Sequence, residues 1–435
     1  MELEIYRARR RRLLAAMGER SVCVIPSAPT AIRNNDVEHE YRQESDFYYL
    51  TGLDEPESVL VLTNVHDEHE AVLFVRPRNP EREVWDGPRA GVDGAVERFG
   101  ADAAFEIAEL SAKLPEYFAN AERLLYRLGR DRDLDARVID ALETARRKHR
   151  LGKDYPTEIV DPARNLHEQR LVKDAHEIAI MRRAAEITRD AHLAAMRVAR
   201  PGAYEYEVEA EILRVFRARG SERPAYGCIV GSGPNATILH YRKNDRRMND
   251  GELLLIDAGC ELEYYASDVT RTFPVDGRFT AEQRAIYDVV LEAQEKCIAA
   301  TKPGTTLEAV HRIAVRELTA GLIELGLVEG PLDEALEKER YKPFYMHRTS
   351  HWLGMDVHDV GKYFPRGEAR VLEPGMVLTI EPGLYIGVNA EVEARWRGIG
   401  VRIEDDILVT ADGRENLTAA IPKAPAELED ILASR

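Results

Sequence analysis

The stretch GELLLIDAGCELEYYASDVTRTFPV, residues 251–275, predicts two buried strands joined by a short connection. Apolar residues 253–256 lead directly to Asp257, a glycine turn follows, and residues 264–273 return as a strand that carries Asp268. The two carboxylates are therefore expected to lie close together. A buried carboxylate is costly unless it is paired or bound to a metal. The pair indicates either structural acids at strand edges or a chemical site.

Two later apolar segments contain acids in similar positions. Glu381 ends an apolar strand before Pro-Gly in MVLTIEPGLYI, residues 376–386. Glu404 interrupts the apolar strand GIGVRIEDDILVT, residues 398–410. With a strand period of two, Arg402 and Glu404 point the same way, so a simple ion pair is the plain alternative for Glu404. That alternative explains one acid and leaves three.

Four carboxylates in one interior would repel one another, and two divalent cations would neutralise their charge. A bridging hydroxide would then leave a single negative charge. Ligands that are mostly oxygen favour a hard ion such as Mn²⁺, although Co²⁺ or Zn²⁺ could occupy such a site in vitro. Two ions about 3.5–4 Å apart share a water, lower its pKa and polarise a carbonyl. The acids therefore predict a dinuclear metal site of a hydrolase.

The segment YMHRTSHWLGMDVHDVG, residues 345–361, contains three histidines, His347, His351 and His358. The first two are four residues apart, as on the helix of a zinc protease. Such a helix would need a glutamate after the first histidine, but Arg348 stands there. The glycine and the β-favouring residues that follow also disfavour a helix. We therefore expect an irregular segment or strand rather than a zinc helix.

Length and composition exclude several classes of protein. A chain of 435 residues favours two or more domains, and a net charge of −17 argues against a nucleic-acid partner. No uncharged apolar run of 18 residues is present, which predicts no membrane span, and the first residues lack an apolar signal core. We therefore expect a cytoplasmic protein. The four cysteines lack Cys-x-x-Cys spacing and predict buried free thiols.

The chain changes pattern at a polar, proline-containing segment, residues 152–166. Before it, short apolar strands alternate with helices, which predicts an α/β domain over residues 1–172. After it, a long amphipathic helix stops at Arg200-Pro201-Gly202, and strands, helices and strands follow. This order predicts an α+β domain over residues 173–435.

Five residues in matching contexts resemble the pita-bread metallopeptidases of family M24. The contexts are LLIDAG, SDVTRTF, SHWLGMDVHDVG, TIEPGLYI and GVRIEDDILVT, which contain Asp257, Asp268, His351, Glu381 and Glu404. Residues 33–62, RNNDVEHEYRQESDFYYLTGLDEPESVLVL, resemble the amino-terminal domain of aminopeptidase P. The resemblance covers nearly the whole chain and implies an aminopeptidase P amino-terminal domain before a pita-bread catalytic domain.

The resemblance also implies roles for these residues. Asp257 would bind one ion, His351 and Glu381 the other, and Asp268 and Glu404 would bridge the two. Glu381 would in addition be the general base that takes a proton from the bridging water.

Further residues would serve the substrate. His240 and His358 would flank the cleft and hydrogen-bond the scissile carbonyl and the tetrahedral intermediate. His347 would line the pocket for proline, although relatives commonly have His-Gly-x-x-His where this chain has Arg348 after the first histidine. Other implied substrate contacts are Arg402, which would also support the metal carboxylates, Tyr385 and Trp85.

Within the family, the aminopeptidase P branch fits best. Its activity would release the first residue of peptides that begin Xaa-Pro, by attack of a metal-bridged hydroxide on the carbonyl before proline. Two Mn²⁺ ions would be the cofactors, and the chain would be a homo-oligomer, either a dimer or a tetramer. The alternatives are a prolidase, which cleaves only Xaa-Pro dipeptides, and a metal-free binding scaffold, which the five filled ligand positions disfavour.

Overall fold

The computed structural model describes residues 2–435, which form two compact units, Met1–Gln169 and Arg170–Arg435. The predicted domain boundary between residues 172 and 173 stays a prediction. Along the chain, the two compact units meet at residues 169 and 170. None of the helices in the described part of the chain is both long and apolar enough to cross a membrane.

The first unit contains a mixed six-stranded sheet and its covering helices. Its helices are α1 (Glu2–Ala16), α2 (Ser45–Thr51), α3 (Pro80–Asp86), α4 (Gly91–Glu97), α5 (Leu110–Tyr117), α6 (Arg132–Arg147) and α7 (Ala163–Leu171), the last of which continues into the second unit. Its strands are β1 (Ser21–Pro26), β2 (Ile32–Asn34), β3 (Val37–Glu38), β4 (Val59–Thr63), β5 (Ala71–Val75), β6 (Ala103–Glu106), β7 (Arg123–Leu125) and β8 (Glu158–Val160). The sheet order is β6-β5-β4-β1-β7-β8, and β2 and β3 form a separate hairpin.

The core of the first unit lies between this sheet and helices α5 and α6. Every residue of β4 and β5 is buried, as expected of strands covered on both faces. On α6, Leu134 and Val138 follow helical spacing and pack with Val61 and Phe74 of the sheet. The α/β class predicted for this part of the chain is confirmed.

The second unit combines two helix pairs with small antiparallel sheets. Its helices are α8 (Ala175–Val198), α9 (Glu205–Ala218), α10 (Ala281–Ala300), α11 (Leu307–Glu324), α12 (Leu332–Glu337) and α13 (Pro425–Ala433). Its strands are β9 (Arg223–Pro224), β10 (Ile229–Ser232), β11 (Leu253–Asp257), β12 (Cys260–Leu262), β13 (Tyr265–Ala266), β14 (Thr270–Pro274), β15 (Val377–Ile380), β16 (Gly383–Ile386), β17 (Ile399–Arg402), β18 (Asp405–Thr410) and β19 (Gly413–Asn416). The sheets are β10-β11-β14, β13-β12-β9, β15-β18-β19 and β16-β17.

Helix α8 shows how local sequence sets these elements. The side chain of Asp174 accepts hydrogen bonds from the amides of His176 and Glu177, which caps the first turn. The helix ends at Val198, before Pro201, as predicted. Helix α8 packs on α9, and α10 packs on α11, so the α+β architecture predicted for the second half is confirmed.

The strand predicted over residues 264–273 differs from the observed one. The strand that pairs with β11 begins only at Thr270, because the short hairpin of β12 and β13 precedes it. Glu263 and Tyr264 turn this hairpin with φ angles of 48° and 70°, a conformation that no glycine in the sequence indicates. Asp268 therefore lies between two strands, and its predicted place within a strand is wrong.

Candidate metal centre

Four acidic side chains of the second unit lie where strands end. Asp257 is the last residue of β11, and Glu381 directly follows β15. Glu404 lies in the break between β17 and β18, and Asp268 shortly precedes β14. All four line one cavity of about 720 Å³. The adjacent ends of paired strands thus gather the acids that the sequence places in separate apolar segments.

The imidazole of His351 lies among these acids. Its Nε2 is 3.4 Å from Oδ2 of Asp268 and 3.4 Å from Oε1 of Glu381. Its Nδ1 is 3.0 Å from the carbonyl oxygen of Trp352. Because a carbonyl only accepts hydrogen bonds, Nδ1 carries the proton when the ring is neutral, and Nε2 is free to act as a ligand.

The four acids carry more negative charge than the single imidazole can balance. This excess raises the pKa values of several groups at the site. Burial raises the pKa of Glu404 well above its usual range, and neighbouring carboxylates, led by Asp268, raise it further. Burial likewise raises the pKa of Glu381 to about 7, against the opposing effect of His351. For His351, burial lowers the pKa, but Asp268 and Glu381 more than offset this and raise it to about 9. A divalent cation would compensate the same charge.

The donor set fits such a cation. Ligand atoms of Asp268, His351 and Glu404 all lie within 4.8 Å of one another. Glu381 lies next to this group, since its Oε1 is 3.4 Å from Nε2 of His351. Asp257 is joined to Asp268 by the hydroxyl of Tyr226, which contacts both carboxylates. Four carboxylates and one imidazole are ligands typical of divalent ions that prefer oxygen. These five residues could hold a divalent metal.

Tyr226 is the shared donor, and sequence reasoning missed it. Its hydroxyl is 2.6 Å from Oδ1 of Asp257 and 2.5 Å from Oδ1 of Asp268. The hydroxyl oxygen is thus a common neighbour of the two acids, although its single proton is donated to only one of them at a time. No charge or spacing in the sequence around residue 226 indicates this role; only proximity to β11 in the fold does.

Arg402 contacts the acids, but it does not form the simple ion pair with Glu404 that was the alternative explanation for that residue. Its Nη2 lies 2.5 Å from Oδ2 of Asp257, so the alternative of a simple ion pair between Arg402 and Glu404 is wrong. Its Nε donates to Oγ1 of Thr270 at 3.0 Å, and that hydroxyl donates to Oε2 of Glu404 at 2.6 Å. Glu404 lies in the break between β17 and β18, where the strand period of two no longer applies. Arg402 is therefore joined to Glu404 by hydrogen bonds through Thr270, and its positive charge also acts to lower the pKa of Glu404 against the larger effect of burial.

Tyr385 connects Arg402 to His347. Nη1 of Arg402 donates to the Tyr385 hydroxyl at 3.0 Å, and that hydroxyl lies 2.9 Å from Nε2 of His347. Nδ1 of His347 is 2.8 Å from the carbonyl of Arg348, so Nδ1 carries the proton and Nε2 accepts from the tyrosine. Burial, followed by the charge of Arg402, lowers the pKa of His347 to about 4. His347 is therefore a neutral ring held at both nitrogens.

The same cavity contains most of the predicted substrate residues. His240 and His358 are exposed on its wall, and the His358 ring centroid is 4.4 Å from that of His351. His347 and Arg402 also line it. Tyr385 lies behind them and is only 2 % exposed. Trp85 belongs to α3 of the first unit and is 84 % exposed, and its contact with substrate stays a prediction.

Comparison with protein families matches both parts of the chain. Residues 179–411 match metallopeptidase family M24, and residues 6–126 match the aminopeptidase P N-terminal domain. The chain belongs to metallopeptidase family M24. The resemblance drawn from the five metal-site contexts and the front half is therefore confirmed.

Relatives and solved structures agree along the whole chain. The chain is 46 % identical to Xaa-Pro aminopeptidase of Escherichia coli. The match covers 98 % of this chain and 97 % of the E. coli protein. The chain is 36 % identical to human Xaa-Pro aminopeptidase 3 over 98 % and 85 % of the two lengths. A Pseudomonas aeruginosa aminopeptidase structure matches with a TM-score of 0.97 at 52 % identity, covering 99 % of this chain and 98 % of that one. A zinc-substituted E. coli aminopeptidase P in complex with product matches with a TM-score of 0.96 at 46 % identity, covering 100 % and 99 %.

Proposed function

We propose that the chain is a metal-dependent Xaa-Pro aminopeptidase, which releases the first residue of peptides that begin Xaa-Pro. The observation that carries the proposal is the convergence of Asp268, His351 and Glu404 within 4.8 Å at the wall of a large cavity. The matched family consists of metallopeptidases, and similar chains over almost the full length are named Xaa-Pro aminopeptidases.

The proposed cofactors are two divalent ions, with Mn²⁺ as the preferred metal. Asp257 would bind the first, His351 and Glu381 the second, and Asp268 and Glu404 both. When bound, the ions polarise the scissile carbonyl and lower the pKa of water at the site. The oxygen-rich donor set supports a hard metal, because carboxylates suit Mn²⁺ better than they suit metals that prefer thiolates.

Glu381 is the proposed general base. Its carboxylate Oε1 lies 3.4 Å from Nε2 of His351 at the cavity wall, so it stands beside the place proposed for the attacking water. Glu381 takes the proton of the attacking water and delivers it to the proline nitrogen as the peptide bond breaks. This delivery is required because the leaving nitrogen of a peptide bond must gain a proton to depart as a neutral amine.

The histidines of the cavity orient the substrate. His240 and His358 are exposed on the wall and can donate hydrogen bonds to the scissile carbonyl oxygen and to the oxyanion that follows it. His347 stays neutral, held by Tyr385 and by the carbonyl of Arg348. A fixed, uncharged ring suits contact with the apolar face of proline. We therefore place His347 in the pocket that binds the proline of the substrate.

The cytoplasm is the proposed location and a homo-oligomer the proposed state. All four cysteines are free and buried, as is usual in a reducing compartment. Val84 and Trp85 lie side by side on α3 with more than four-fifths of each surface exposed, which supports a subunit contact there. Light scattering of the purified protein would distinguish a dimer or tetramer from a monomer.

The activity is tested by supplying the Mn²⁺-loaded protein with Ala-Pro-Ala and with Ala-Pro. We expect release of alanine from the tripeptide, and Glu404→Ala should abolish it, because that variant loses one of the ligands proposed to bind both ions. Cleavage of the dipeptide alone would show a prolidase instead. Turnover of neither peptide would favour a binding scaffold, and full activity in Glu404→Ala would mean that the metal residues are misassigned.

A further inference from the structure

Four arginines line the cavity, and three of them have partners. Arg402 pairs with Asp257, Arg348 pairs with Glu308, and Arg370 donates to the carbonyl of Lys362. Among the residues that the structure describes, none forms a hydrogen bond or ion pair with the fourth, Arg242, whose side chain is exposed on the cavity wall. An uncompensated guanidinium thus faces the space proposed for substrate.

The position of Arg242 follows from how its segment is anchored. Tyr241 turns its hydroxyl to Oε2 of Glu205 at 2.8 Å, and Asn244 bonds the amide of Val230 and the carbonyl of Cys228. His240 and Arg242, on either side of Tyr241, both line the cavity. The backbone on which Arg242 stands is therefore fixed, and its side chain shares a wall with the proposed cleft histidine.

The side chain also lies against a fixed surface. A Cβ atom on Gly227 would be 3.5 Å from Cδ of Arg242 and 3.8 Å from its Nε. Gly227 directly follows Tyr226, which links two of the proposed metal ligands. The arginine stem thus runs along the backbone next to the metal carboxylates, while its charged end has no protein partner.

We propose that Arg242 is a specificity-determining residue that binds a carboxylate of the peptide downstream of proline, first of all the C-terminal carboxylate of Xaa-Pro-Yaa. This inference rests on the proposed function, which places His240 at the scissile carbonyl. An extended chain advances about 3.5 Å per residue, so the carboxylate of a tripeptide lies about 7 Å beyond that carbonyl. A guanidinium forms two parallel hydrogen bonds to a carboxylate, which is the geometry that an unpartnered arginine offers.

The test compares Ala-Pro-Ala with its C-terminal amide on the Mn²⁺-loaded protein. We expect the free acid to have a kcat/KM about fivefold higher, mainly through KM, the size typical of a partly exposed ion pair. Arg242→Gln should bring the ratio of acid to amide close to one. Arg242→Lys keeps the positive charge but cannot form two parallel hydrogen bonds to a carboxylate. It should therefore give an intermediate ratio. Arg348→Gln is the matched control, because the charge of Arg348 is already paired with Glu308, and it should keep the ratio of the unmodified protein.

A second pair of peptides separates the two sources of a carboxylate. Preference for Ala-Pro-Glu-amide over Ala-Pro-Gln-amide that disappears in Arg242→Gln would assign the acidic side chain as the ligand. Calorimetric binding of the product Pro-Ala against Pro-Ala-amide measures the same contact without turnover, and should show the same dependence on Arg242.

Equal kcat/KM within both pairs of peptides, or a ratio that Arg242→Gln leaves unchanged, would overturn the inference while alanine release still supports the aminopeptidase. No release from any of the peptides would overturn the proposed function and the inference with it.

Discussion

The Tyr226 hydroxyl contacts two of the proposed metal ligands. It bonds both Asp257 and Asp268 within 2.6 Å, and the pKa of the phenol rises well above its usual range through burial and the charges of these acids. The tyrosine therefore stays protonated and remains a donor. The sequence pointed to the acids because charges are conspicuous within apolar segments, whereas a tyrosine beside them carries no such signal.

Tyr226→Phe should lower Mn²⁺ affinity and alanine release by about 10- to 100-fold, the usual cost of losing a partner that orients metal ligands. Calorimetric titration with Mn²⁺ measures the affinity. Tyr126→Phe, which removes a tyrosine hydrogen bond to Asp135 in the first unit, is the matched control and should leave the affinity unchanged. Unchanged affinity in Tyr226→Phe would show that the two acids hold their spacing without the hydroxyl.

The ends of β11 and β14 set the distance between the first two acids. Predicting β11 from its apolar run succeeded, because burial on both faces leaves a clear pattern, whereas the returning strand was predicted six residues too early. The hairpin of β12 and β13 between them was not predictable, since Glu263 and Tyr264 take up the left-handed conformation without a glycine. Support of the metal carboxylates by Arg402 was expected, but the alternative of an ion pair with Glu404 assumed a strand period of two that does not continue through the break between β17 and β18.

Gly259 lets these two strand ends approach. A Cβ there would overlap the carbonyl oxygen of Ser267, which immediately precedes Asp268. Gly259→Ala should therefore move Asp268 away from Asp257, lower the free energy of unfolding by about 1–3 kcal/mol, and weaken Mn²⁺ binding at least about tenfold. Denaturant unfolding and Mn²⁺ titration measure the two effects.

Gly387→Ala serves as the control for that substitution, because a Cβ at Gly387 has open space within 4 Å. It should leave both unfolding and Mn²⁺ binding unchanged. If Gly259→Ala behaves like Gly387→Ala, the close approach at residue 267 does not control the site.

Across the molecule, the architecture could be predicted from the sequence better than the contacts between individual side chains. The α/β first half, the α+β second half and the convergence of the five proposed metal ligands on one cavity were all predictable, since each rests on the apolar pattern or on an acid or histidine in a recognisable context. The hydrogen bonds that join Arg402, Tyr385 and His347 were not, because they link residues 17 and 38 positions apart along the chain. Such links arise only when the sheets and loops of the second unit come together.

One buried ion cluster should set the acid stability of the second unit. Asp359 accepts from Nζ of Lys173 at 2.9 Å and from Nη2 of Arg170 at 2.7 Å. Burial alone would raise the pKa of Asp359, but Lys173 and Arg170 more than offset this and lower it. The stability that this carboxylate contributes is therefore present above its unfolded pKa of about 3.9 and lost as pH falls through the lower folded pKa.

Asp359→Asn should reduce the free energy of unfolding at pH 7 by about 3–5 kcal/mol, because the buried Lys173 loses its carboxylate and Arg170 keeps Asp356 but loses Asp359. The gap between the unmodified protein and the variant should narrow as pH falls from 5 towards 2, which urea unfolding at a series of pH values would measure. A gap that stays constant over this range would contradict the assigned direction of the pKa.

The metal centre itself is tested most directly by removing its ions and returning them. Protein treated with a chelator should release no alanine from Ala-Pro-Ala. Titration with Mn²⁺ should restore release, which saturates once two ions are bound per chain, as measured by elemental analysis of the same samples. Undiminished release by chelated protein that contains no bound metal would contradict the proposed metal-dependent aminopeptidase.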